Sequence, residues 1–318
     1  MVYSDDIVLP YYFKSTRING RLVKLGSSIN QIIEQHSYPE LVSGILAEFL
    51  ALGAMLATNI KYEGTLNIQT ASNGPIRLLV ADITSSGSVR GYADFDESSL
   101  DNNCSWANIN RPTAKQLVGK GHLAFTVDQG VDMERYQGIV EIEGDSLASW
   151  AKAYFRQSEQ IDTDVILQSG IFEGKWRAGG VMLQKMPDLK VDNNIKSNSN
   201  NKKNSELKLQ NLVSLDEEWS SAQILMSSVK TSELLDSSIT PETLTYRLFQ
   251  SKGVHGLQGR QIKFGCSCSR NRVKMTLKAF PREEISDMLI DGRLTITCQF
   301  CNSREVFESE ALDDLLSN

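Results

Sequence analysis

Four of the five cysteines fall between positions 266 and 301, as Cys266-Ser267-Cys268 and Cys298-Gln299-Phe300-Cys301. Two closely spaced thiol pairs suit zinc, a borderline-soft ion that accepts four sulfur ligands in a tetrahedron. The expected ligand set is Cys266, Cys268, Cys298 and Cys301, with one zinc per chain in the reduced protein and no open position for catalysis. Four unrelated core cysteines is a poor account, because Ser, Gln and Arg surround them. A C-x-C pair makes a tighter chelate than C-x-x-C. Oxidised, it would close a small strained ring, and strained disulfides are labile and regulatory. Thiolate ligands are also the form that oxidants attack. The spacing is therefore consistent with a switch, while a static structural site stays open on spacing alone.

The intervening segment can bring the two pairs together. Pro281-Arg282-Glu283 starts a helix that Gly292 is expected to end, and Leu294–Thr297 leads as a strand into the second pair. Cys104 stands apart and reads as an ordinary free thiol. His36, His122 and His255 are scattered and carry no ligand or catalytic expectation. There is no Walker loop, no GxGxxG after a strand, no GxSxG and no HExxH, and the glycines from 170 to 180 read as a hairpin turn. No enzymatic chemistry is expected and no catalytic residue is assigned.

The scaffold has to be built from the rest of the 318 residues, too many for one ordinary core. The expected class is α+β: a mostly antiparallel sheet domain with packed helices over 1–187, a disordered low-complexity insertion over 188–210, a helical linker over 211–257 and a small four-cysteine zinc module over 258–318. In the first unit, helical patterning comes first, with Pro39-Glu40 opening an apolar helix. Strands follow at Thr65–Gln69, Ile76–Val80, Ser88–Tyr92, Leu123–Val127, Gly138–Ile142, Val165–Leu167 and Val181–Leu183, with a helix capped by Asp145 before the last two. The tract from Asn193 to Ser205 contains one apolar residue and cannot offset its chain entropy. Beyond it, Asp216 is the expected cap of a helix striped by Trp219, Ala222, Met226 and Val229. Thr240-Pro241 opens another, with Leu244 and Leu248 one turn apart. Such short helices are marginal alone and must pack on something else.

Composition limits the partners. The formal net charge is −6, which does not favour nucleic acid. Phe49–Ile60 is the most apolar stretch, about a dozen residues against the roughly 20 of a bilayer span, so it reads as a buried helix. The first twenty residues lack a basic region followed by an apolar one, so a signal peptide is not expected and the location expected is cytoplasmic. A zinc-knuckle nucleic-acid binder is one alternative. Between Arg260 and Glu305 there are nine Lys/Arg and five Asp/Glu, and a four-thiolate zinc centre would offset part of that excess. Aromatic stacking residues are few there, chiefly Phe264, Phe280 and Phe300. A thiol–disulfide oxidoreductase using Cys298 and Cys301 is the other, but the strand-then-helix context of such enzymes is absent.

The chain resembles the redox-regulated heat-shock protein 33 chaperones, the 33 kDa chaperonins. The resemblance rests on Phe264-Gly265-Cys266-Ser267-Cys268-Ser269-Arg270, on Cys298-x-x-Cys301, and on Arg135-Tyr136-Gln137-Gly138. It continues through Glu143–Leu147, Tyr154-Phe155-Arg156-Gln157-Ser158-Glu159-Gln160 and Ala178-Gly179-Gly180 leading to Met186-Pro187. It spans nearly the whole chain in order, and the Asn/Ser/Lys tract stands out as an insertion. The resemblance implies an ATP-independent holdase that is inactive when reduced and zinc-bound. It implies that oxidation forms the disulfides Cys266–Cys268 and Cys298–Cys301, that zinc leaves and the linker unfolds. The oxidised protein is then expected to form a homodimer and hold unfolding client proteins.

Overall fold

The computed structural model describes residues 5–14, 16–58, 62–101, 112–130, 135–186 and 215–309. Cys104 and the 188–210 tract lie outside the described residues.

The chain opens on strands, not on a helix: β1 (Ile7–Phe13) and β2 (Ile18–Leu25) form an antiparallel pair. Helices α1 (Ser27–Glu34) and α2 (Glu40–Ala57) follow, the latter preceded by Pro39 as expected. Strands β3 (Thr65–Ser72), β4 (Ile76–Thr84) and β5 (Ser88–Phe95) make a meander. Two single-turn helices, α3 (Glu97–Asp101) and α4 (Ala114–Val118), precede the pair β6 (Gly121–Asp128) and β7 (Tyr136–Glu141). Helix α5 (Leu147–Tyr154) is capped by Ser146 rather than Asp145: the Ser146 hydroxyl accepts from the Ser149 amide, and Ser149 returns the bond. A π-turn, Phe155–Glu159, continues it. The hairpin β8 (Asp162–Phe172) and β9 (Lys175–Lys185) turns on Glu173 and Gly174, both at positive φ, the geometry that matches strand twist.

Two sheets result. In the first, β1, β2, β9 and β8 lie side by side. In the second the order is β5-β4-β3-β6-β7. Helix α2 lies between them, with Phe49, Leu50, Met55 and Leu52 fully buried against Ile68, Leu79, Ile83 and Met182. It is the one described helix long and apolar enough to cross a bilayer, and 83% of that window is buried inside the protein.

The outer face of the first sheet is covered as well. Residues 215–227 (α6), α7 (Thr231–Leu235) and α8 (Pro241–Phe249) lie across it. Ala222, Met226, Leu234, Leu244, Leu248 and Phe249 form one core with Tyr11, Phe13, Leu22, Val181 and Leu183. Asp216 sits inside α6 rather than ahead of it, whereas Thr240 caps α8 with Pro241 in its first turn as expected. The Gly179-Gly180 pair permits this two-sided packing. A Cβ on Gly179 would sit 3.0 Å from the Leu234 carbonyl, and one on Gly180 2.8 Å from the Ile166 carbonyl.

Three short strands then return to both sheets. β10 (Val254–Gly256) and β11 (Arg260–Gln261) pair with β1, and β12 (Lys263–Phe264) pairs in parallel with β5. The cysteine-bearing end contains α9 (Arg270–Leu277), α10 (Arg282–Asp287) and the hairpin β13 (Arg293–Thr297) and β14 (Arg304–Glu308). Helix α10 stops at Asp287, short of Gly292. Gly292 instead forms the left-handed turn into β13 with Asp291. Among the described residues, only Leu277, Ile285, Leu294 and Phe307 are buried in this end's own core, with Val273, Leu289 and Ile296 packed around them. A core that small is marginal without a metal or another staple.

Candidate metal centre

Each thiol pair sits on a short connection. Strand β12 runs beside β5, and the Gly265 amide donates to the Val89 carbonyl at 3.0 Å, which delivers Cys266, Ser267 and Cys268 to the edge of the second sheet. Ser269 then caps α9 by accepting from the Arg272 amide. The other pair lies at the turn between β13 and β14. The Cys298 amide donates to the Ser303 carbonyl at 2.9 Å, and the Asn302 amide donates to the Cys298 carbonyl at 2.8 Å, with Asn302 at φ 53°. Cys298 and Cys301 are thus between two strands, and neither begins a helix, so the oxidoreductase arrangement is not reproduced.

The four sulfurs lie within 4.8 Å of one another, a set that could hold a metal ion. Cys266 and Cys298 are 3.7 Å apart, Cys268 and Cys301 3.3 Å. A tetrahedron with zinc–sulfur bonds of about 2.3 Å has edges near 3.8 Å, so donor type and spacing fit that ion. All four thiols are half-buried. As free thiols they compete for protons. For Cys268, Ser303 pulls down, but burial and the thiols of Cys301 and Cys266 outweigh it and push the value up to about 12. Burial raises Cys301, yet the Ser303 side chain and amide, with Cys268 and Cys298, bring it down to about 7. Ser303 Oγ stands 3.4 Å from Cys268 Sγ and 3.2 Å from Cys301 Sγ.

Side chains that no local pattern singles out seat this cluster against the second sheet and the end of α1. Arg90 of β5 donates to Ser267 Oγ at 3.2 Å, lies 3.8 Å from Cys266 Sγ and stacks its guanidinium 4.0 Å over the Phe300 ring. Asp82 of β4 pairs with Arg90 at 2.7 Å and accepts from Asn67. Burial works against the Arg90 charge, but Asp82 and, after it, Cys266 more than compensate, so the pKa of Arg90 is raised. From the other pair, Asn302 donates to the Gln35 carbonyl at 2.9 Å, and His36 Nε2 lies 3.2 Å from the Phe300 carbonyl while its ring stacks on Tyr38. Arg272 adds a second cation, donating to the Ser267 carbonyl and hydroxyl. These charges face a cluster that, as a zinc tetrathiolate, would carry about −2. His122 and His255 are not part of this cluster. His255 stacks on Tyr12. No local signal marks Arg90 or His36, because their partners lie far along the chain.

Fold and site define a class: an α+β protein with two large sheets, on which a four-cysteine module that could hold a metal ion is docked. The family model described as Hsp33 protein matches residues 6–308, and the chain belongs to the Hsp33 chaperone family. The 33 kDa chaperonin of Caulobacter vibrioides is 34% identical, over 94% of this chain and 93% of its own. That of Vibrio cholerae is 31% identical, over 98% and 96%. The crystal structure of the 33 kDa chaperonin (heat shock protein 33 homolog) from Thermotoga maritima superposes with a TM-score of 0.77 over 98% of both chains. At 21% identity it bears on the fold alone.

Proposed function

We propose that this chain is a redox-regulated, ATP-independent holdase, inactive while Cys266, Cys268, Cys298 and Cys301 hold one zinc ion as thiolates. The observation that carries the reading is a physical chain of contacts. The cysteine cluster is docked on β5 through Arg90, and residues 215–249 cover the apolar outer face of the first sheet. When bound, zinc would supply the sulfur bonds that tie the two halves of a nearly coreless module.

Oxidation acts on the sulfurs. Each pair of thiolates gives two electrons to one peroxide, which takes two protons from solvent, forming one S–S bond and two waters. We assign the bonds Cys266–Cys268 and Cys298–Cys301, as the resemblance to the Hsp33 family implies. Disulfide sulfurs no longer ligate, so the module loses its staple and α6–α8 lose the anchor at their C-terminal end. Their release would uncover Trp219, Met226, Leu244 and Leu248 together with Tyr11, Leu22 and Val181 beneath them. Such a patch binds unfolding chains without ATP, and it can pair two copies of the protein into a homodimer. The units of this switch are 1–187, the 188–210 insertion, the 211–257 linker and the 258–318 module. The protein acts as a cytoplasmic binder of unfolding clients, not as an enzyme, a nucleic-acid binder or a membrane protein.

The test is light scattering by a heat-unfolding client in the presence of this protein, first reduced, then peroxide-treated, then re-reduced with zinc. Suppression confined to the oxidised state, with mass mapping of the two within-pair disulfides, is expected. Suppression indifferent to peroxide would overturn the switch, and cross-pair disulfides would overturn the assignment.

A further inference from the structure

Three of the segments that carry the family resemblance take no part in the metal centre, yet they meet at one place. Tyr136, then Tyr154, Phe155 and Glu159, and Met186 line a cavity of about 380 Å³, within the roughly 300–1,000 Å³ range of pockets that take small ligands. Its inner wall is apolar: Leu56, Leu66, Phe125, Val127 and Phe155 are all less than 5% exposed. Its rim differs, with Tyr136 50% and Met186 40% exposed and Glu159 on the surface. None of these residues belongs to α6–α8 or to the cysteine module.

The rim carboxylate is held in place. Glu159 Oε1 accepts from the Tyr136 hydroxyl at 3.0 Å and from the Tyr154 hydroxyl at 3.1 Å. Among the described residues it is the only charged one lining the cavity. The π-turn is what puts Phe155 in the wall and Glu159 at the rim, and it closes on Gln160 in a left-handed conformation, φ 56°. Such turns are rare and cluster at functional sites. Gly138 lies behind the Tyr154 ring. A Cβ there would meet the Tyr154 ring at 2.9 Å, so the glycine lets Tyr154 lie flat on β7 with its ring 3.9 Å from that of Phe125.

We infer that this cavity is a docking pocket for an unfolded polypeptide, taking one large apolar side chain whose neighbour is a lysine or arginine. The apolar wall supplies the burial, Met186 adapts its shape at the mouth, and Glu159 selects the positive charge. The inference rests on the holdase reading for the source of the peptide. It goes beyond that reading in giving the first domain a binding site that does not depend on the redox state. A segment held here in the reduced protein would gain a second, adjoining contact once the outer face of the first sheet is free, and linked contacts multiply affinity.

The test uses the full chain, reduced and oxidised, with two fluorescent peptides that alternate Phe-Arg or Phe-Glu among Gly and Ser. Anisotropy should show the Phe-Arg peptide binding the reduced protein and the Phe-Glu peptide binding at least about threefold more weakly. The Met186 methyl resonance should shift on addition. Glu159→Gln keeps an acceptor for both tyrosines and should erase the preference between peptides. Met186→Trp, which fills the mouth, should weaken both. If neither peptide binds the reduced chain, or binding leaves the Met186 resonance unmoved, the pocket is wrong even where the oxidised protein holds clients. If the pocket binds as described but oxidation yields no protection of clients, the holdase reading fails and the pocket stands.

Discussion

The Lys24 ammonium, 1% exposed on β2, donates to the carbonyl oxygen of Ile239 at 2.7 Å, more than two hundred residues along the chain. It also reaches the carbonyls of Glu233 and Asp236. One side chain of the sheet therefore gathers three backbone acceptors, one from α7 and two from its connection to α8. A helix of five residues leaves its last carbonyls without partners of its own.

Burial chiefly holds Lys24 down to about 8; Asp5 opposes this, Arg177 reinforces it and Asp236 opposes it. An exposed lysine titrates near ~10.4. Below pH 8 the docked and released forms both carry the proton, and the burial penalty is present in full. From about pH 8 to about pH 10 the docked form binds fewer protons, so docking strengthens as pH rises, by at most ~3 kcal/mol. The linker's melting midpoint in the reduced, zinc-loaded protein should rise across this window, and Lys24→Met should lack that component of the slope. Equal slopes in parent and variant would show that Lys24 does not titrate there. Lys24→Met should also leave linker carbonyls unpaired, with a loss of about 1–3 kcal/mol at neutral pH.

Arg90 ties the cysteine cluster to the sheet. Arg90→Leu strands the partly buried Asp82 carboxylate and should cost about 1–3 kcal/mol. Adding Asp82→Asn should recover part of that loss without restoring the module contact. Both variants should surrender zinc to a chelator faster than the parent, while their first-domain melting differs between single and double change. Chelator rates equal to the parent's would mean that docking contributes nothing to metal retention.

Metal analysis of protein purified under reducing conditions should give about one zinc per chain, since four thiolates fill one tetrahedral shell. Cys268→Ser removes one ligand and should lower retention on dialysis. A folded parent with four reactive thiols and no metal would contradict the assignment.

Met226 is 1% exposed against the first sheet, while Ile224 on the same helix is 69% exposed. A buried charge without a partner costs several kcal/mol. Met226→Glu should therefore release the linker and suppress client aggregation in the reduced, zinc-loaded state, and Ile224→Glu should leave the protein inactive there. A linker melted by circular dichroism in an inactive Met226→Glu variant would refute masking.

The metal cluster was legible because its signal is local: ligand types and short spacings stand in two runs of the sequence. The meander β3–β5 and the β8–β9 hairpin were legible for the same reason, through alternation and turn residues. Strands β1 and β2 were not. Alternation marks a strand with one wet face, but β2 is buried almost throughout because α2 packs on one side and α6–α8 on the other. That same burial put Arg21 and Lys24 inside, against the usual sense of charge. Arg90, His36 and Lys24 were invisible as functional residues because each acquires its role from a partner 176 to 264 positions away. The cap shift from Asp145 to Ser146 is a smaller miss, since either residue type can cap and only the Ser149 reciprocity decides.

Hydrogen exchange on a single sample, followed with zinc release and client light scattering during peroxide addition, tests the central claim most directly. Oxidation should strip protection from 215–249 and 266–308 in step with zinc release and the gain of holdase activity. The amides of β3, β4, β8 and α2 should stay protected. Client protection appearing while 215–249 remains as protected as in the reduced protein would contradict the claim that the linker masks the binding surface.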